Sequence, residues 1–174
     1  MSLHEQFNQQ FYVRSTWIKL LIPISYLYLC IIILKNFLYS IGLLEIKKVS
    51  VPVIVIGNIT VGGTGKTPLL IAITSHFLSI GLKPGIISRG YKSSNKNTRE
   101  VTNNSKFVDV GDEPFMLKRQ LGIPVFVGKK RFSNAELLLK HYPEVDVILS
   151  DDGLQHSELA RDYEIIVVDQ TREF

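Results

Sequence analysis

Cysteine is all but missing from this chain. Its 174 residues hold one, Cys30, which excludes an internal disulfide and a cysteine metal cluster and fits a reducing compartment. Cys30 lies in an apolar run, where a free cysteine behaves as a small hydrophobe. The histidines at 4, 76, 141 and 156 show no zinc-ligand spacing. Internal repeats and low-complexity linkers are absent. So is any stripe of basic and aromatic residues, which argues against a nucleic-acid partner despite a pI near 9.1. Guanine readers carry Asn-Lys-x-Asp, and "NKNT" at 95–98 lacks the aspartate, so GTP specificity has no support.

Charge is missing from Leu20 to Leu34, a run of fifteen residues. That is short of the roughly 20 apolar residues needed to cross a bilayer. Lys19 and Lys35 can snorkel from its ends, Trp17, Tyr26 and Tyr28 suit an interface, and Pro23 bends a helix without forbidding it. No small-residue cleavage site follows, as a signal peptide would require. Residues 1–50 carry five basic residues against two acidic ones, so most of the formal charge of +4 flanks this segment and suits anionic headgroups. A chain this small has little core to hide such a helix. Residues 1–50 are therefore read as a membrane-associated helical segment, spanning or interfacial.

Residues 51–174 alternate strand and helix patterns. "VPVIVIGN", "PGIIS", "PVFV", "VDVILS" and "YEIIVVD" are short β-branched runs typical of buried strands. Helical spacing runs over Thr67–Ile80, Asp112–Leu121 and Phe132–His141, with Gly81 and Gly122 placed to end the first two. The polar stretch 89–106 reads as a loop. This order predicts an α/β fold of the P-loop NTPase type, a parallel sheet with helices on both faces, preceded by the apolar helix.

"GNITVGGTGKTPLL" at 57–70 carries the chemistry. Strand, glycine-rich turn, Gly-Lys-Thr and helix form the setting of a phosphate loop. The candidate nucleotide-binding residues are Thr60, Val61, Gly62, Gly63, Thr64, Gly65, Lys66 and Thr67. Glycines let main-chain N–H groups face phosphate oxygens, and the helix start adds its dipole. Lys66 can reach the β- and γ-phosphates, and the Thr67 hydroxyl can ligate Mg²⁺. Thr60 stands where the usual pattern has glycine. Val61 stands where partition-type ATPases have lysine, which argues against that class.

Carboxylates come in two pairs. Asp151 and Asp152 end an apolar strand, where a P-loop enzyme places a Mg²⁺-holding aspartate; capping the next turn is the structural alternative. Asp112 and Glu113 in "VGDEP" start a helix. Asp112 is either an N-cap or the base that a hydroxyl-directed kinase needs. Arg89 in "ISRGY" follows a strand and can grip a substrate phosphate. Arg131, at a helix start, reads as a surface residue, and His156 as a hydrogen-bonded structural histidine.

The apolar amino-terminal helix, "VPVIVIGNITVGGTGKTP", "ISRGY", "VGDEP" and "DDGLQH", in that order, resemble the tetraacyldisaccharide 4′-kinases, the lipid A 4′-kinases of Gram-negative bacteria. Thr60 is typical of that family. The resemblance implies transfer of the ATP γ-phosphate, with Mg²⁺, to the 4′-hydroxyl of a tetraacylated disaccharide 1-phosphate, giving lipid IVA. It implies work at the cytoplasmic face of the inner membrane, with the lipid A disaccharide precursor and inner-membrane lipids as partners. Asp112 would help activate the hydroxyl, alongside Lys66 as the other catalytic residue. Thr67, Glu113, Asp151 and Asp152 would handle metal and phosphate, and Arg89 the substrate. Family members continue into a second lobe beyond the "IIVVD" strand, so the kinase domain is expected to be incomplete at "QTREF". The alternatives are a membrane-associated P-loop ATPase that drives a partner, and a non-catalytic nucleotide- or membrane-binding fragment. Nothing in the sequence specifies an oligomeric state.

Overall fold

The fold is described from a computed structural model, covering residues 16–58, 65–90 and 97–168. The chain divides into two compact units, with the division between Glu45 and Ile46. That falls before the expected boundary at 50, because Lys47 already belongs to the second unit. Its N–H donates to the Glu158 carbonyl at 2.8 Å, and its own carbonyl accepts from Ala160 at 2.8 Å.

The first unit is built on helix α1, Thr16–Ser40, with Pro23 inside it. Twenty-five residues at about 1.5 Å each give a helix about 37 Å long. It outruns the uncharged segment because Lys35 does not interrupt helical bonding. Tyr26, Leu27, Tyr28 and Leu29 are all exposed. Four consecutive positions cover the whole circumference, so α1 has no polar face along this stretch. Ile22–Ser40 is long and apolar enough to cross a membrane, by length and composition.

The second unit is a six-stranded sheet in the order β3-β4-β2-β5-β1-β6. The strands are β1 Val53–Asn58, β2 Pro84–Ser88, β3 Arg99–Glu100, β4 Val125–Val127, β5 Val147–Asp151 and β6 Tyr163–Val167. Around them lie α2 Lys66–Ser79, α3 Phe107–Val110, α4 Asp112–Leu121 and α5 Arg131–His141. All pairings are parallel except that of β3 with β4. The stretch 89–106, expected to be loop throughout, therefore contributes the short antiparallel edge strand β3. Two charged residues carry no strand pattern, and only the free edge of β4 makes a strand of them.

Side chains alternate across the sheet as the pleat requires. Ile56, Ile86 and Leu149 point to one face, where they meet Leu70 of α2 and Leu117 of α4. Val55, Ile87 and Ile148 point to the other, where they meet Ala135 and Leu138 of α5. Helices thus cover both faces, and every residue of β2 and β5 is buried. Packing under α5 is close: a Cβ added at Gly85 would lie 2.9 Å from the Leu138 methyls. Leu138→Ala should therefore cost about 2–5 kcal/mol of stability, read from the midpoint of denaturant unfolding.

Candidate functional site

The register of the sheet decides what meets at its carboxyl edge. Ile56 lies opposite Asp151 across β1 and β5, and Ser88 lies opposite Val127 across β2 and β4. The end of β1, the start of α2 and the acidic end of β5 therefore open onto one crevice, the usual ligand position in open α/β sheets.

Thr60, Val61, Gly62, Gly63 and Thr64 fall outside the described residues. Gly65 is described, and it occupies the N-cap of α2 in the left-handed region, φ 80° and ψ 14°. Among the described residues no side chain caps this helix start, and N–H groups at a helix start suit an anion. Lys66 follows at once and reaches across to β5, its Nζ 3.0 Å from Asp152 Oδ1. The Thr67 hydroxyl is 3.5 Å from Glu113 Oε1, on α4. The two acidic motifs, far apart in sequence, thus converge on successive residues of one helix.

Asp151 and Asp152 are adjacent but differently placed. Asp151 is buried, and Ser88 Oγ donates to its Oδ2 at 3.1 Å. Burial pushes its pKa up, with help from the Glu113 charge. The Ser88 hydrogen bond, Lys66 and Arg131 oppose the rise. Asp152 leaves the strand with φ 50°, the only positive φ outside glycine among the described residues. That reversal turns its carboxylate outward to Lys66. Gly153 must follow, since a Cβ there would lie 2.5 Å from Ser150 Oγ and 3.0 Å from Val55 Cγ1.

One open alternative is decided here and one expectation corrected. Asp112 is not an N-cap: Gly111 takes that position with φ 93°, and no side chain bonds to the helix start. Asp112 stands first in α4, exposed, with no hydrogen-bond or ion-pair partner among the described residues. Its carboxylate is thus free of the capping role. Arg131, read as a surface residue, is buried. Its guanidinium donates to the main-chain carbonyls of Gly128 at 3.3 Å, Asp151 at 2.7 Å and Asp152 at 3.4 Å. Burial lowers its pKa to about 10, with Asp151 and Asp152 opposing and Arg89 assisting, so it stays a cation at neutral pH. The sequence held one faint signal of this: Asn134, one turn on, shares its side of α5 and is also buried. Asn134 Nδ2 donates to the Ser88 and Gly128 carbonyls at 3.1 and 3.0 Å.

Arg89 is exposed at the end of β2 and close enough to influence Arg131, with no hydrogen bond or ion pair among the described residues. His156 is half-buried in the turn after β5. Thr67, Glu113 and Asp152 offer hydroxyl and carboxylate oxygens, the donors Mg²⁺ prefers. No cage of three or more acidic, histidine or cysteine side chains forms among the described residues. An ion completed by substrate phosphates needs none, because Mg²⁺ usually takes only one or two protein carboxylates.

These features define the chain as an α/β protein of the parallel-sheet class, with its charged groups gathered at the carboxyl edge around the start of α2. The family is then given by comparison. A family model described as tetraacyldisaccharide-1-P 4′-kinase matches residues 17–174, and the chain belongs to that family. The tetraacyldisaccharide 4′-kinase of Methylobacillus flagellatus is 46% identical over 167 residues, which is 96% of this chain and 50% of that protein. The one from Delftia acidovorans is 46% identical over 147 residues, 84% of this chain and 44% of that protein. Among solved structures, LpxK from Aquifex aeolicus, crystallised with ATP, superposes with a TM-score of 0.75 at 37% identity, covering 85% of this chain and 48% of that one. The chain thus spans about half the length of the curated relatives it matches.

The sign of the Asp151 shift gives a test. A raised folded-state pKa favours folding below the ordinary value of 3.8, and that contribution is lost as pH rises through the folded-state value. Asn at this position cannot ionise, and its amide oxygen can still accept from Ser88. Asp151→Asn should therefore raise Tm at neutral pH, with a gain that shrinks as pH falls toward 4, measured by calorimetry across that range.

Proposed function

We propose that this chain carries the nucleotide-binding portion of an ATP-dependent lipid kinase. The kinase phosphorylates the 4′-hydroxyl of a tetraacyldisaccharide 1-phosphate, giving lipid IVA. The carrying observation is the convergence of Lys66, Thr67, Glu113 and Asp152 at the carboxyl edge of the sheet, in a chain that belongs to this family. The ATP bound to the Aquifex relative supports the choice of nucleotide.

In this reading the segment Thr60–Thr67 binds the phosphates, and the N–H groups at the start of α2 donate to phosphate oxygens. Lys66 leaves Asp152 for the β- and γ-phosphates, where a cation stabilises charge developing on the transferred group. Thr67, Glu113 and Asp152, backed by Asp151, would hold Mg²⁺, which supplies charge neutralisation on the phosphates when bound. Asp112, unoccupied by any capping bond, takes the proton of the 4′-hydroxyl as that oxygen bonds to the γ-phosphorus. The bond from the γ-phosphorus to the bridging oxygen breaks, and ADP leaves. Arg89 binds a phosphate of the acceptor.

Helix α1 supplies the other half of the problem. The acceptor's acyl chains stay in the bilayer, and an apolar helix embedded there would hold the chain at the membrane. The reading places the protein at the cytoplasmic face of the bacterial inner membrane, with membrane lipids around α1.

Transfer of labelled γ-phosphate to purified tetraacyldisaccharide 1-phosphate tests the activity, and its absence in the full-length protein rejects the kinase. Asp112→Asn there should lower kcat by about 10²–10⁴-fold while ATP affinity changes little. Stability should stay within about 0.5 kcal/mol, because no cap is lost. Wild-type turnover in that variant rules Asp112 out as the base. Deleting residues 1–45 should move the protein from the membrane fraction to the soluble one. If the shortened form still pellets with membranes, the anchor lies on the α/β unit.

A further inference from the structure

Arg131 poses a problem of its own. A buried guanidinium is expensive to desolvate, and an apolar side chain of similar volume often serves stability as well or better. Arg131 is 2% exposed, and its hydrogen-bond partners are main-chain carbonyls rather than a carboxylate. Its Nε is the one buried side-chain nitrogen or oxygen among the described residues with no hydrogen-bond partner. Stability alone is a poor account of a cation kept under such terms. The location of its partners is a better one. Two of the three carbonyls belong to Asp151 and Asp152, and the third to Gly128 just past β4.

We infer that Arg131 is a positioning residue for the proposed phosphoryl transfer, fixing the backbone reversal at Asp151–Asp152 that aims Asp152 at Lys66. The reversal needs such a device. Asp152 sits at φ 50°, a conformation that residues with a Cβ adopt reluctantly. On one side its N–H is held by the Ile56 carbonyl at 2.9 Å. On the other, the Arg131 NH2 group bridges its carbonyl and that of Asp151, at 3.4 and 2.7 Å. One planar fork thus spans two consecutive peptide units and anchors them to β4 through Gly128. Lysine cannot do this, because a single ammonium has no fixed second arm. Asn134, on the same side of α5, ties β2 to β4 through Ser88 and Gly128 and makes no bond to the aspartates. Arg131 alone of the pair acts on the acidic turn.

The inference rests on the kinase reading for its catalytic consequence but not for its geometry, so the test has two arms. In the full-length protein, Arg131→Lys should fold and lower kcat by about 10–100-fold, the scale of loss when a residue supporting metal ligands is changed. KM for ATP should stay within about 3-fold, because Lys66 and the main-chain N–H groups remain. Asn134→Ala, the control for a merely structural role, should lower Tm with turnover per folded molecule intact. In the second arm, a crystal structure of Arg131→Lys should show Asp152 out of the left-handed region or parted from Lys66. Wild-type kcat in Arg131→Lys overturns the inference, and so does an unchanged Asp152 turn. Failure of both Arg131→Lys and Arg131→Gln to fold also overturns it, by making Arg131 purely structural. Absence of transfer by the wild type would reject the kinase reading instead, leaving the crystallographic arm to judge Arg131.

Discussion

The pairing of β1 with β5 is the constraint on which the site depends. Their parallel ladder sets Ile56 beside Asp151, so the strand before the glycine-rich segment and the strand leading into the two aspartates end on one edge of the sheet. A slip of one residue would turn Asp151 to the opposite face and disperse the crevice. Burial of the alternating side chains secures the register of the hydrogen-bonded ladder. Val55, Ile56, Ile148 and Leu149 fill both faces, and α2, α4 and α5 cover them. The polar groups at the edge are placed by an apolar lattice a few ångströms below.

From that edge the same two-residue sequence produces two different chemical groups. Asp151, last in β5, keeps strand geometry and points inward to Ser88. Asp152, one peptide later, reverses and meets a lysine at the surface. One carboxylate is costly to ionise, and the other is exposed and paired. Identical side chains become inequivalent through a single dihedral angle, and the crowding around Gly153 leaves the chain little choice after it.

Much of this was legible in the sequence, because strands buried on both faces announce themselves as β-branched runs, as in "VIVIGN" and "PGIIS". The helix limits were readable to within a residue or so, since Gly81 and Gly122 occupy left-handed positions where α2 and α4 end. Apart from the single turn α3, what escaped was non-local. Arg99 and Glu100 are a strand only because β4 has a free edge. Arg131 is buried only because carbonyls from the ends of β4 and β5 converge on it. The capping role considered for Asp112 was a local argument, and Gly111 displaced it. Lys66, Thr67, Glu113 and Asp152 were nameable in advance, whereas their pairing across the crevice was not.

In the proposed kinase, the ion pair between Lys66 and Asp152 would make nucleotide capture an exchange rather than an addition. The lysine is already engaged, so a phosphate gains only the difference between itself and a carboxylate. With 55% of the Asp152 side chain exposed, solvent screens that carboxylate, and such pairs are worth about 0–1 kcal/mol. The toll on entry is therefore small. On the way out the same carboxylate is a waiting partner for the ammonium, so a departing diphosphate leaves no stranded charge. In the proposed kinase the pair would narrow the gap between occupied and empty states only by that small amount.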